Sequence, residues 1–220
     1  MKKLSPKVTQ NFEQILNKIL GKRVFIFDLE TTGLFDFKQS SRYWDNKVFE
    51  SARIIEIGYY YSDNFGNNFD TSNFINSYLR KPKDFNKIDP ESEKIHNISI
   101  DNLIKNGYLF SKILNKDLLH KLNNSDYIIS HNIQFDLSIL MNELYRFNLN
   151  NTIKYILDLK KTGNILCTCR SSGYKKLNFL YNVLFNEEPE VLHRAGNDVK
   201  TLIDIIIKKK SDLIINTELN

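Results

Sequence analysis

Two carboxylates separated by one residue end a dense apolar segment near the start of the chain. Asp28 and Glu30 lie in FDLETTG, which completes the apolar run that begins at Arg23. On a β-strand, residues i and i+2 point to the same face, so the two side chains should lie side by side. Buried like charges repel unless a cation lies between them, and carboxylate oxygens suit Mg²⁺ or Mn²⁺. Such a pair is common and can simply lie in solvent, but the Thr-Thr-Gly turn that follows makes the pattern more specific.

Two further acidic residues occur where helices are predicted to begin. Asp136 lies in HNIQFD, directly after the short apolar segment DYIIS, and therefore at the carboxyl end of a predicted strand. Ligands gather at that edge in α/β sheets. Asp198 lies in HRAGND, five residues after His193, at the start of the last long helix. An acid in a first turn also complements the helix dipole, and a histidine can cap a helix, so each motif alone has a structural interpretation.

The elements that position these residues are short apolar strands and amphipathic helices. The predicted strands cover residues 23–30, 53–61, 68–79, 126–130 and 164–168. The predicted helices cover 8–20, 110–122, 175–185 and 194–210, with two more that begin at 89–91 and near 132. Strands that come first and then alternate with helices predict a layered α/β domain with a mixed sheet. We expect this domain to cover 22–212, with an N-terminal helical extension at 1–21 and a C-terminal tail at 213–220.

Composition limits the class of protein. The 220 residues are 41% hydrophobic and 26% charged, which is typical of a globular protein and not of a disordered one. A net charge of +5 weakly favours a polyanionic partner. Abundant Asn, Ile and Lys indicate an AT-rich genome or a virus.

The same sequence argues against a membrane or secreted protein. It has neither an apolar run of membrane length nor an N-terminal hydrophobic segment typical of a signal peptide. The two cysteines, Cys167 and Cys169, are too few for a zinc site and too close together to suggest a disulfide framework. We therefore expect no membrane partner, and a cytoplasmic or other reducing intracellular location.

The three acidic motifs, in this order, resemble those of the DEDDh (DnaQ-like) 3′-to-5′ exonucleases, which have a ribonuclease H-like fold. The resemblance extends over about residues 23–210. The segments RIIEIG and KIHNIS also resemble family segments, although Asn97 replaces the glycine of a His-Gly pair that is frequent there. The resemblance implies a mixed sheet of about five strands flanked by helices.

The resemblance also implies a role for each motif residue. Asp28, Glu30 and Asp198 would hold the cation that binds the nucleophile, and Asp28 would bridge to a second one. Asp136 would support the site directly or through water. The cofactors would be two Mg²⁺ ions, for which Mn²⁺ can substitute. His193 would be the general base, and a histidine there, where a sister group has tyrosine, defines the subtype.

Substrate contacts follow from the same resemblance. Thr31 would meet the terminal 3′-hydroxyl, and Leu34 would pack on the last base. His131 and Phe135 would line the cleft, although helix capping and core packing explain these two equally well. The loop 35–51 mixes basic and aromatic side chains, which either guide a single strand into the site or belong to an ordinary packed loop.

Three functions are consistent with these motifs. The favoured one is a 3′-to-5′ exonuclease that acts on single-stranded DNA in repair or proofreading and releases nucleoside 5′-monophosphates, with a polymerase or another protein as a further partner. The second is an exoribonuclease that trims RNA 3′ ends, because the motifs do not distinguish ribose from deoxyribose. The third, a catalytically silent nucleic-acid- or polymerase-binding module, is disfavoured because all four acids and the histidine are present.

Overall fold

Five strands form one mixed sheet in the computed structural model, which describes residues 4–66, 75–190 and 193–218. The strands are β1 (Val24–Thr31), β2 (Ile54–Ser62), β3 (Ile75–Leu79), β4 (Tyr127–Ser130) and β5 (Ile165–Cys167). Their order is β3-β2-β1-β4-β5, with β1 antiparallel to β2 and parallel to β4. This confirms the predicted five-stranded mixed sheet and its α/β class. Residues 68–74 of the predicted third strand lie outside the described residues.

Helices cover both faces of the sheet. They are α1 (Pro6–Ile19), α2 (Pro90–His96), α3 (Ile100–Asn106), α4 (Phe110–Ile113), α5 (Leu119–Asn123), α6 (Ile133–Arg146), α7 (Asn150–Lys161), α8 (Thr168–Ser171), α9 (Leu177–Phe185) and α10 (Ala195–Glu218). A π-helical turn, Leu114–Leu118, joins α4 to α5. No helix among the described residues is both long enough and apolar enough to cross a bilayer.

The alternation of side chains along β1 creates two apolar layers. Phe25 and Phe27 point to the face covered by α6 and α7, while Val24 and Ile26 point to the face covered by α1 and α10. The N-terminal helix is part of the second layer, since Phe12, Ile15, Leu16 and Ile19 are buried there. The predicted amphipathic extension therefore packs on the main domain.

The start of α10 is held unusually close to β2. A Cβ atom built on Gly58 would lie 2.3 Å from the carbonyl carbon of Ala195, so only glycine permits this approach. Gly58 pairs with Asp28 across β1 and β2. The contact therefore brings the first turn of α10 beside the acidic end of β1.

Several elements differ from the prediction. α7 was missed because it begins with two asparagines, which favour turns over helices. α10 continues beyond Lys210 to Glu218, into the segment expected as a tail, because no glycine or proline interrupts it after Gly196. Asn97, the residue expected in place of a glycine, ends α2 in the left-handed conformation at φ 54°, which asparagine adopts more readily than most residues.

Candidate active site

Three of the predicted acids meet at one point. Carboxylate oxygens of Asp28, Glu30 and Asp198 all lie within 4.8 Å of one another. β1 supplies the first two from one face of the strand, and the first turn of α10 supplies the third. Asp136, in the first turn of α6, is only 4% exposed and accepts a hydrogen bond from the Ser130 hydroxyl. Its charge raises the pKa of both Asp28 and Glu30, so it adjoins the group. We call these four residues the acid cluster.

The acid cluster is electrostatically unbalanced. Burial, reinforced by Asp136 and Asp198, raises the pKa of Asp28 well above its usual range. Burial and the neighbouring acids also raise the pKa of Glu30 to about 8. Burial is again the main cause that raises the pKa of Asp136 to about 8 and that of Asp198 to about 7. Carboxyl groups crowded in this way offer hard oxygen ligands without a matching positive charge, which suits a divalent cation.

His193 lies at the edge of the same cleft. The cleft has a volume of about 540 Å³, and its lining includes Asp28, Glu30, His193 and Asp198. The histidine backbone has a left-handed φ of 60°, and its N–H donates to Asp198 Oδ1 at 3.3 Å. The imidazole is exposed to solvent and can therefore exchange a proton with water in the cleft.

Glu56 is a buried acid beside the site to which the sequence analysis gave no role. It lies directly across from Glu30 on β2 and is 2% exposed. Its carboxylate accepts hydrogen bonds from Arg194 Nε at 2.9 Å, from Arg194 Nη2 at 2.8 Å, from the Ala195 N–H at 3.1 Å and from Ser77 Oγ at 2.9 Å. These bonds fix the start of α10 next to His193. The signal in the sequence was a charged residue inside the apolar strand RIIEIGYYY.

His131 lines the cleft but has partners of its own. Its Nδ1 lies 3.0 Å from Thr168 Oγ1, and its Nε2 lies 3.0 Å from the Lys175 carbonyl oxygen. Because a carbonyl only accepts, Nε2 carries the proton. Burial lowers the pKa of His131 to about 4, so the ring is neutral. It ties the start of α6 to the segment that precedes α9.

The other predicted substrate residues lie near the cleft without lining it in the described part of the chain. The Thr31 hydroxyl donates to the Gly33 carbonyl at 2.8 Å, so it stabilises the turn after β1. Leu34 is 73% exposed at the tip of that turn. Phe135 stacks on Phe35 with ring centroids 5.5 Å apart, which joins α6 to the loop 35–51.

Known proteins resemble this chain over most of its length. The family model RNase_T, described as exonuclease, matches residues 25–206. A DNA polymerase III of the PolC type from Mycoplasmopsis pulmonis is 26% identical over 205 residues, which are 89% of this chain and 12% of that protein. The chain thus spans about an eighth of the length of this relative.

Solved structures share the fold. The zinc-bound complex of Escherichia coli exonuclease I with single-stranded DNA has a TM-score of 0.56 at 16% identity, covering 89% of this chain and 42% of that one. The nuclease domain of 3′hExo, a DEDDh family member bound to rAMP, has a TM-score of 0.54 at 14% identity, covering 87% and 92%. With the family match and the three motifs, these likenesses lead to one conclusion: the chain belongs to the RNase_T exonuclease family and has the ribonuclease H-like fold of DEDDh exonucleases.

Proposed function

We propose that this protein is a metal-dependent 3′-to-5′ exonuclease that removes nucleoside 5′-monophosphates from single-stranded nucleic acid, with DNA as the favoured substrate. The observation that carries the proposal is the convergence of Asp28, Glu30 and Asp198 within 4.8 Å, in a cleft that His193 also lines. The family match supports nuclease chemistry. The DNA polymerase relative and the exonuclease I complex with single-stranded DNA support the choice of substrate.

The chain's own groups account for substrate binding and proton transfer. Asp28, Glu30 and Asp198 would hold Mg²⁺ or Mn²⁺, with Asp136 beside them. Such ions, when bound, neutralise charge on the scissile phosphate and lower the pKa of water. Exposed Lys175 and Lys176 line the same cleft and attract the phosphate chain.

Hydrolysis needs one proton acceptor near the nucleophile. His193 takes a proton from water as the water oxygen forms a bond to the terminal phosphorus. The bond from phosphorus to the 3′-oxygen of the preceding nucleotide breaks, this oxygen takes a proton from solvent water, and His193 returns its proton to solvent. The products are a nucleoside 5′-monophosphate and a strand shortened by one nucleotide with a new 3′-hydroxyl.

An assay with 5′-labelled strands tests the proposal. Single-stranded DNA, single-stranded RNA and a mismatched duplex are incubated with Mg²⁺, Mn²⁺ or a chelator. We expect stepwise shortening from the 3′ end that stops in the chelator and in Asp28→Asn. Asp158→Asn, an exposed substitution on α7, is the matched control and should keep full activity. Internal cuts, or full activity in the chelator, would contradict the proposal. If RNA is shortened faster than DNA, RNA and not DNA is the preferred substrate.

A second variant tests the role of His193 as the general base. His193→Ala should lower kcat by about 10²- to 10⁴-fold, because general-base catalysis contributes that much. Its affinity for Mn²⁺, measured by calorimetry, should stay close to that of the wild type. Equal losses of kcat and of metal affinity would mean that His193 acts on the metal site instead.

A further inference from the structure

We propose that a second groove, next to the cleft, binds the nucleotides of the substrate strand that precede the scissile bond. This groove, called here the side groove, has a volume of about 810 Å³. Its walls come from the loop 40–44, α6, α7, β5 and α8. The inference rests on the proposed function, since it extends the path of the same strand.

The side groove and the cleft share a wall. His131 and Asn132 line the cleft, while the next two residues, Ile133 and Gln134, line the side groove. The same holds on the facing side, where Cys169 lines the cleft and Arg170 lines the side groove. A strand that leaves the cleft across this wall therefore enters the side groove directly.

One wall of the side groove is an aromatic platform held in place. Trp44 is 53% exposed and packs edge-on against Tyr43, with ring centroids 5.1 Å apart. The Tyr43 carbonyl accepts a hydrogen bond from Asn142 Nδ2 at 2.8 Å, and Gln134 Nε2 donates to Ser40 Oγ at 2.9 Å. Because these bonds fix the loop to α6, Trp44 offers a base a preformed face on which to stack.

The side groove also carries positive charge. Lys160 on α7 and Arg170 on α8 line it and are exposed, and the described residues that line it include no carboxylate. Apolar side chains, Leu137, Met141 and Leu157, line it as well. An aromatic platform and two cations in one groove suit a single nucleic-acid strand, which carries a phosphate at every nucleotide. An extended peptide added to the edge of β5 would gain nothing from these two charges unless it were acidic.

The test compares substrates with and without upstream nucleotides. The substrates are a single-stranded DNA 12-mer and the p-nitrophenyl ester of thymidine 5′-monophosphate, which has no preceding nucleotide. We expect Trp44→Ala to raise KM for the 12-mer by about tenfold, because stacking of one base contributes that much or more. Hydrolysis of the ester should not change. Trp44→Phe should recover most of the lost affinity, because it keeps a stacking face.

The two basic residues of the side groove, Lys160 and Arg170, offer a matched pair of variants. Lys160→Ala and Arg170→Ala should each raise KM for the 12-mer and reduce its dependence on salt concentration. Lys161→Ala is the control, because the Lys161 side chain follows Lys160 on α7, is 77% exposed and lies outside the side groove. These exposed substitutions test the inference even if Trp44→Ala fails to fold, and fluorescence anisotropy of a labelled 12-mer in the chelator measures binding without turnover.

The outcomes separate this inference from the proposed function. An unchanged KM and an unchanged anisotropy in Arg170→Ala, Lys160→Ala and Trp44→Ala would overturn the side groove as the strand path and leave the exonuclease proposal intact. Equal losses of activity on the ester and on the 12-mer would also overturn the side groove as the strand path, because they would show that the substitution impairs the cleft itself. Failure of the wild-type protein to hydrolyse either substrate would instead overturn the proposed function.

Discussion

Two largely buried clusters of charge, both among the described residues, differ in how far the side chains of the protein balance them. The balanced cluster, called here the ion-pair network, consists of Arg53, Arg80, Asp84 and Glu143. Glu143 Oε1 lies 2.7 Å from Arg53 Nε and 2.6 Å from Arg80 Nη1, and both arginines also contact Asp84. The acid cluster has four carboxylates, and Arg194, which lowers the pKa of Glu30, is already paired with Glu56.

The contrast shows in the pKa values of the buried acids. Burial raises the pKa of Glu143, but Arg80 and Arg53 outweigh it and leave the pKa below its usual range. Burial and neighbouring acids leave the pKa of Glu30 at about 8. A buried acid that the chain pairs itself stays charged, and the loss of either partner is costly, whereas an acid without a matching charge is available for an external cation.

Removal of Glu143, the acid that pairs with both arginines, should break the ion-pair network. Glu143→Ala leaves Arg53 and Arg80 buried with only Asp84 as a partner, so we expect the free energy of unfolding to fall by about 3–5 kcal/mol. Urea denaturation measures it. Glu91→Ala, which removes an exposed pair with Lys94, is the control and should cost less than about 1 kcal/mol. A loss as small as that of the control would mean that the network contributes nothing to stability.

A divalent cation should stabilise the acid cluster and not the ion-pair network. At a concentration one hundred times its dissociation constant, Mg²⁺ should add about 2.7 kcal/mol to the free energy of unfolding of the wild type. Glu30→Gln should lose most of this gain, because one of the three converging carboxylates is gone. Thermal unfolding with and without Mg²⁺ measures both. The same gain in Glu30→Gln would show that the ion binds elsewhere.

A further expected effect is a pH dependence of stability in a chelator. The folded pKa values, about 8 for Glu30 and Asp136 and about 7 for Asp198, lie above the unfolded values near 4. The folded state therefore binds more protons between these limits, and its stability should fall as the pH rises from about 5 to about 8. Asp28→Asn should flatten this slope. A free energy of unfolding that rises with pH over this range would contradict the claim that burial and crowding raise the pKa values of the acid cluster.

The local features of the site could be predicted from the sequence. Alternation along a strand places Asp28 and Glu30 on one face, and the first turns of α6 and α10 present Asp136 and Asp198. The partners of Glu56 and of the ion-pair network could not be predicted, although Glu56 itself stands out as a charge inside an apolar strand. Their partners come from distant elements, such as Arg194 on the approach to α10 and Glu143 on α6, and no periodic pattern in the sequence reports such pairings.

The sequence by itself determined which residues could do chemistry and which face of each element they occupy, because hydrophobic period and capping act over a few residues. The tertiary structure alone decided that Asp28, Glu30 and Asp198 lie within 4.8 Å of one another, and that Arg194 only partly offsets the burial and crowding that raise the pKa of Glu30. That outcome depends on how closely α10 packs on β2 at Gly58 and on where the buried arginines point. Packing between distant segments sets both, and it is settled only when the whole core forms.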